Sequence, residues 1–98
     1  MSHEPSVSCQ PHEGGWHCAV RVGDDPGATE HTVSVDRATL DDLAPGGSPE
    51  DLVRASFEFL LEREPRESVM RAFELPIIAR FFADYPDEIR RRLGGGLG

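Results

Sequence analysis

The feature that most constrains this chain is a helix start at residues 48–51, which read Ser-Pro-Glu-Asp. Serine is a preferred N-cap, proline suits the first helical position, and an acid three residues after the cap completes a capping pattern. Pro65 sets the other end, because a residue that precedes proline is pushed out of the helical region. The sequence therefore predicts one helix over about residues 49–64.

This helix carries a very wide apolar band. At about 100° per residue, its buried-type positions cover an arc of roughly 200°. These positions are Leu52, Val53, Ser56, Phe57, Phe59, Leu60 and Leu61. One neighbouring element cannot bury so wide a band, so we expect this helix at the centre of the fold, or against a second subunit as well.

Alternating apolar residues before the helix predict two β-strands. The first alternation runs from Trp16 to Val22 and the second from His31 to Val35, with turn-forming residues 23–27 between them. This pattern favours an antiparallel hairpin with strands at about 16–22 and 30–35. A lone hairpin is marginal in water, so helices have to cover its apolar face.

The whole pattern predicts an α+β fold, in which the hairpin packs against three to five helices. Asp36 can cap a short helix before the central one. Beyond Pro65, residues 67–73, 77–85 and 89–93 have apolar side chains at helical spacing. We expect a flexible tail over residues 1–15, a single domain over 16–93 and a flexible C-terminus over 94–98.

Composition excludes several classes of protein. The chain has 98 residues and a formal net charge of −8, and all ten basic residues are arginines. No apolar run approaches the ~20 residues of a membrane-spanning helix. The first residues lack the basic and apolar stretches of a secretory signal, so we expect a small acidic protein in the cytoplasm.

Charge also bears on nucleic acids. An acidic surface repels phosphates, which makes a nucleic-acid partner unfavourable. The one basic cluster is Arg90–Arg92. We interpret it as the solvated C-terminal end of the last helix, where cations are stabilised by the helix dipole.

Cysteine and histidine residues near the N-terminus suggest one alternative function. Cys9, His12, Cys18 and His31 are residue types that zinc binds. The spacing lacks a second tight ligand pair, and Cys18 is equally suited to a small core position. Because a reducing cytoplasm disfavours disulfides, we expect the two cysteines to be free thiols. A zinc-binding protein is kept as the alternative to a binding module without a cofactor.

No catalytic constellation stands out. The acidic pairs Asp24/Asp25, Asp41/Asp42 and Asp87/Glu88 fall at turns or first helical turns, where acids are favoured without any catalytic role. Cys18 follows His17 directly, but strand alternation predicts that their side chains point to opposite faces of the sheet. The sequence therefore favours a non-enzymatic protein.

A chain of this size buries only about 60–65% of its unfolded surface, so some apolar surface should remain for a partner. The candidates are Val53, Phe59 and Leu61 on the central helix, with the adjacent pair Phe81 and Phe82. The predicted function is protein–protein contact, with a partner protein or as a homodimer.

The segment from Ser48 to Ile89, with its Ser-Phe-Glu-Phe-Leu-Leu-Glu-Arg-Glu-Pro helix at residues 56–65, resembles a family of small uncharacterised proteins from GC-rich, actinobacterial-type bacteria. The resemblance implies Val-rich strands followed by this helix. It implies no activity, cofactor or site.

Overall fold

The predicted hairpin lies in the middle of a larger sheet. The computed structural model describes residues 5–23 and 27–94, and its sheet contains β1 (Ser6–His12), β2 (Gly15–Val22), β3 (Thr29–Asp36) and β4 (Ala72–Glu74) in that spatial order. β1, β2 and β3 are antiparallel neighbours, whereas β4 runs parallel to β3. The α+β class and the β2–β3 hairpin are confirmed, but the sheet has two further strands that the sequence pattern did not predict.

The predicted flexible tail is wrong for the part of it that the structure describes. β1 pairs with β2 from Ser6 opposite Arg21 to His12 opposite Gly15. A tight turn joins the two strands, with Gly14 at a φ of 84°, a conformation that favours glycine. The alternation in β1 is weak because only Val7 and Cys9 face the core. Residues 1–4 and 95–98, at the two predicted flexible ends, lie outside the described residues, as do residues 24–26 of the predicted turn.

Four α-helices follow from the described part of the chain: α1 (Arg37–Leu43), α2 (Pro49–Arg63), α3 (Ile78–Phe81) and α4 (Tyr85–Gly94). The central helix agrees with its predicted bounds to within one residue. The Ser48 hydroxyl accepts a hydrogen bond from the Asp51 amide at 3.1 Å, as the capping pattern requires. Asp36 caps α1 in the same way through the Thr39 amide at 2.9 Å. Gly94, predicted to be in the flexible C-terminus, is instead the last residue of α4.

The chain between α2 and α3 is not the helix that its apolar spacing predicts. Arg66–Ser68 forms one 3₁₀ turn, Ala72–Glu74 forms β4, and Leu75–Ile77 forms a second 3₁₀ turn. Pairing decides the conformation of this segment. The Thr32 amide donates to the Arg71 carbonyl at 2.7 Å, and Phe73 lies opposite Val33. The backbone therefore finds its hydrogen bonds at the open edge of β3.

α2 lies at the centre of the fold, as predicted. It packs against β1 and β2 on one side and against α4 on the other, while α1 covers β3. The wide apolar band serves both sides, since Phe57 contacts the sheet-side ring of Phe73 and Phe59 contacts the α4 ring of Tyr85. The core consists of buried apolar side chains from both layers, chiefly Cys18, Val20, Val33, Val35, Leu52, Val53, Phe57, Phe59, Leu75, Ile78, Tyr85 and Ile89.

A buried polar pair links α2 to α4. The Ser56 hydroxyl donates to the Leu52 carbonyl at 2.7 Å, so it accepts from the Tyr85 hydroxyl at 2.6 Å. Burial of the phenol raises the pKa of Tyr85 well above its ordinary value, and the hydrogen bond to Ser56 offsets only part of that effect. The Tyr85 phenol is therefore held in its neutral form.

Alkaline pH should destabilise the fold through this one phenol. The unfolded chain releases the Tyr85 proton near an ordinary pKa of about 10, whereas the folded protein retains it to higher pH. Above about pH 10 the folded state therefore binds more protons, and the free energy of unfolding should fall by up to ~1.4 kcal/mol per pH unit. Denaturant unfolding between about pH 9 and pH 11 measures this slope.

The sequence contains few other side chains that titrate in this pH range. The chain contains no lysine and no second tyrosine, and both cysteines are bonded to each other. Tyr85→Phe should remove most of the alkaline slope. An equal slope in Tyr85→Phe would contradict the assignment to this phenol.

Candidate interaction site

The two cysteines predicted as free thiols form a disulfide. The register places Cys9 directly opposite Cys18 on β1 and β2, and their sulfur atoms are bonded. The free-thiol prediction is wrong because it treated residues 1–15 as a loose tail, whereas pairing of β1 brings the two thiols together. A disulfide also removes both sulfur atoms from the predicted zinc ligands, since zinc binds thiolates.

His31 is a structural residue of the core. Its side chain is 2% exposed, and its Nδ1 lies 2.7 Å from the Met70 carbonyl oxygen, which can only accept. Nδ1 therefore carries the proton, and Nε2 accepts from the Thr29 hydroxyl at 2.9 Å. Both ring nitrogens are used, so His31 has no lone pair left for a metal. The bond to Met70 instead ties β3 to the segment that precedes β4.

The remaining predicted ligand, His12, lies at the end of β1. Its ring stacks on the ring of His17 with 4.1 Å between centroids. Within residues 5–23 and 27–94, no three His, Cys, Asp or Glu side chains are grouped as metal ligands. The structure thus does not assemble Cys9, His12, Cys18 and His31 into a metal centre.

Three of the four described members of the acidic pairs form ion pairs. Asp42, Asp87 and Glu88 contact arginine side chains. Hydrogen bonds from Thr39 lower the pKa of Asp36, and the Arg92 guanidinium lowers the pKa of Glu62. Both shifts favour the ionised form, which is opposite to what a carboxylic-acid catalyst needs. Asp24 and Asp25 lie outside the described residues.

The Arg90–Arg92 run occupies the last turns of α4, as predicted for a helix end. Each arginine faces a carboxylate. Arg90 bonds Asp42 at 2.9 Å, Arg91 bonds Glu88 at 2.6 Å, and Arg92 bonds Glu62 at 2.7 Å. These pairs leave little net positive charge to attract a phosphate backbone.

Two residues of the predicted contact surface are in the core. Val53 and Phe59 have no exposed area. Phe59 is covered by two rings, that of Tyr85 on α4 at 5.3 Å and that of Phe82, which follows α3, at 5.8 Å between centroids. The Arg63 guanidinium lies 3.7 Å from the Phe59 ring centroid and closes the outer side. Val53 and Phe59 are therefore excluded from any contact surface, and Leu61 is half-buried against the core.

The Phe81 and Phe82 part of the predicted surface lies on an apolar groove. Phe81 is 65% exposed and Met70 is 40% exposed, and they are the large apolar side chains that the described residues leave open. Between them lies a cavity of about 140 Å³. Its lining, which we call the Phe81 groove, consists of Leu60, Glu64, Ser68, Val69, Met70, Phe73, Ile78, Phe81 and Phe82.

Three parts of the chain build this groove. The end of α2 supplies Leu60 and Glu64, the segment up to β4 supplies residues 68–73, and α3 supplies Ile78 and its neighbours. Pairing of β4 with β3 positions Phe73, and the hydrogen bond to His31 positions the backbone at Met70. These contacts place one wall of the groove beside the edge of the sheet.

One charged residue lines the groove, and another precedes Phe81 in the sequence. Glu64 lies in its wall, and Arg80 precedes Phe81 on α3 and is exposed. Within the described ranges, neither side chain has an ion pair, and six other acids there have none either. The groove therefore presents an apolar cavity with one carboxylate in its wall, next to the exposed Phe81 ring.

Sequence reasoning missed the Met70 side of the groove. Val69, Met70 and Phe73 have helical spacing, which suggested a buried helix rather than a wall formed by an irregular segment and a strand. The available signal was the run from Pro65 to Pro76, since two prolines in twelve residues argue against one continuous helix.

Comparisons with known proteins found no relative of this chain. No family model, curated protein or solved structure matches this chain. Separately, no helix among the described residues is both long enough and apolar enough to cross a membrane.

Proposed function

We propose that the protein is a binding module that holds an aromatic side chain of a polypeptide in the Phe81 groove. The observation that supports this most directly is the 65% exposure of Phe81 beside an apolar cavity. Exposed aromatic and methionine side chains around a preformed cavity are typical of protein contact surfaces. The proposal keeps the predicted protein–protein contact and moves it away from Val53 and Phe59.

The size of the cavity indicates what it accepts. Its volume is about 140 Å³, and a dry apolar cavity of roughly 150 Å³ is known to bind a benzene ring. One phenyl or phenol side chain therefore matches the cavity in size and polarity. Glu64 in the wall would favour a basic residue next to that ring, because an apolar wall strengthens the attraction between opposite charges.

Peptide selection tests the proposal. Random peptides displayed on phage and selected on the immobilised protein should converge on sequences with an aromatic residue. Synthetic copies of these peptides should bind at least about tenfold more weakly to Met70→Glu, because the new carboxylate would lie at an apolar cavity. Isothermal titration of the synthetic peptides measures this loss.

Ala38→Glu is the matched control, since it adds the same charge at an exposed position of α1 that does not line the groove. It should leave peptide affinity unchanged. Selected peptides without an aromatic residue, or with equal affinity for Met70→Glu, would overturn the proposal.

The cytoplasmic location stays a prediction. Disulfides persist in oxidising compartments and are rare in the reducing cytosol, so the Cys9–Cys18 bond weighs against that location. The zinc alternative is not proposed, because the two sulfur atoms are bonded and both His31 nitrogens are used.

A further inference from the structure

We infer that the aromatic side chain held in the groove is Phe81 of a second copy of this chain, in a two-fold symmetric dimer. This inference rests on the proposed function and names its partner. In a two-fold interface the same patch serves both subunits, so each residue that donates a contact also has its counterpart on the other copy. The patch must therefore be complementary to itself, and a projecting group next to a site that receives it meets this requirement.

The Phe81 groove carries both. The projecting group is the Phe81 ring, which is 65% exposed, and the receiving site is the cavity of about 140 Å³ that one side of the same ring helps to line. A phenyl ring fits that volume. Because Phe81 is at the end of α3, next to the cavity, a two-fold axis near the groove would direct each ring toward the cavity of the other copy.

The charges are self-complementary as well. Arg80 precedes Phe81 in the sequence and is exposed, Glu64 lines the receiving cavity, and neither has an ion pair among the described residues. When Phe81 enters the groove of the other copy, Arg80 travels with it toward Glu64 of that copy. Two-fold symmetry makes this pair twice.

The patch is small, so the dimer should be transient. Stable interfaces bury about 800 Å² on each partner, and a single groove with one inserted ring provides less. The net charge of −8 on each copy opposes association over long distances. At about 0.15 M salt the Debye length is only ~8 Å, so charges away from the contact are largely screened.

Sedimentation velocity over a range of protein concentrations is the first test. The wild-type protein should show a concentration-dependent shift from monomer toward dimer. Phe81→Ala should raise the dissociation constant at least about tenfold, because each contact loses one buried ring. A strict monomer, or a dimer that Phe81→Ala leaves unchanged, would overturn the inference.

Charge reversal gives a sharper second test. In a dimer of Arg80→Glu, each contact would bring two carboxylates together. In a dimer of Glu64→Arg, each contact would bring two guanidinium groups together. Each variant should therefore be monomeric at concentrations where the wild type associates. An equimolar mixture of the two variants should associate again. In that heterodimer one contact joins the two substituted side chains, whose charges are again opposite, and the other contact keeps the native Arg80–Glu64 pair. A mixture that stays monomeric would count against the two-fold arrangement.

The two proposals fail separately. Peptide binding is measured at a protein concentration where the wild type is monomeric, so self-association does not mask the groove. A monomer that binds aromatic peptides retains the proposed function and overturns the dimer. If the wild-type protein does not bind aromatic peptides and Phe81→Ala leaves its dimerisation unchanged, both proposals are overturned.

Discussion

Phe59→Ala should lower the free energy of unfolding by about 3–5 kcal/mol, the largest effect we expect from a single substitution. Phe59 has no exposed area and lies between the rings of Tyr85 and Phe82. Alanine would leave a cavity where α2 meets α4, and the Arg63 guanidinium would lose the ring that it covers at 3.7 Å. Urea unfolding followed by circular dichroism measures the change.

Phe81→Ala is the matched control, because it removes the same ring from a position that is 65% exposed. We expect it to change stability by only about 0.5 kcal/mol, the usual range for surface substitutions. Similar losses for Phe59→Ala and Phe81→Ala would contradict the burial of Phe59 by α4. The contrast also separates residues that stabilise the fold from residues that bind.

Breaking the Cys9–Cys18 bond should lower the free energy of unfolding by roughly 2–3 kcal/mol. The bond joins residues nine apart in sequence, and closing a loop of about ten residues restricts the unfolded chain by an amount in this range. The bond also holds β1, whose residues are half-buried or exposed, against β2. Urea unfolding with and without a phosphine reductant measures the loss, after a thiol assay confirms reduction.

The double variant Cys9→Ala/Cys18→Val is the control for the reductant. It keeps an apolar side chain at the buried position of β2 and cannot form the bond. Its stability should match that of the reduced wild type to within about 1 kcal/mol, and the reductant should not change it further. If the reduced wild-type protein proved as stable as the oxidised one, the bond would have no role in holding β1.

The elements that local sequence determines were predictable. α2 has its cap, its first-turn proline and its terminating Pro65 in the sequence, and its bounds agree with the structure. β2 and β3 alternate clearly because one face of each strand is covered by helices. In each case the signal lies within a few residues of the feature that it predicts.

The elements that depend on distant pairing were not predictable in this way. β1 has only Val7 and Cys9 as core-facing apolar residues, so its alternation is weak until β2 is placed beside it. β4 is three residues long and is determined by the open edge of β3, which lies far earlier in the chain. The disulfide was not predicted for the same reason, since without β1 no element places Cys9 opposite Cys18.

The candidate site shows the same division. Phe81 and Phe82 were predicted because an adjacent aromatic pair on a short amphipathic segment is difficult to bury completely. Phe59 was placed on the surface because the wide band of α2 exceeded what the predicted neighbours could cover. The return of α4 across α2 depends on tertiary contacts, such as the Ser56–Tyr85 hydrogen bond, that no local pattern indicates.

The wall of the groove is attached to the sheet by very few bonds. β4 pairs with β3 over only three residues, and two further hydrogen bonds join β3 to the segment that precedes β4, from the His31 ring to the Met70 carbonyl and from the Thr32 amide to the Arg71 carbonyl. So short an edge can detach while β1, β2 and β3 stay paired, since regions with few contacts open at a lower free energy than the whole domain. A partner bound in the groove would then also stabilise the pairing of β4 with β3. Part of its binding free energy would be spent on keeping β4 in place.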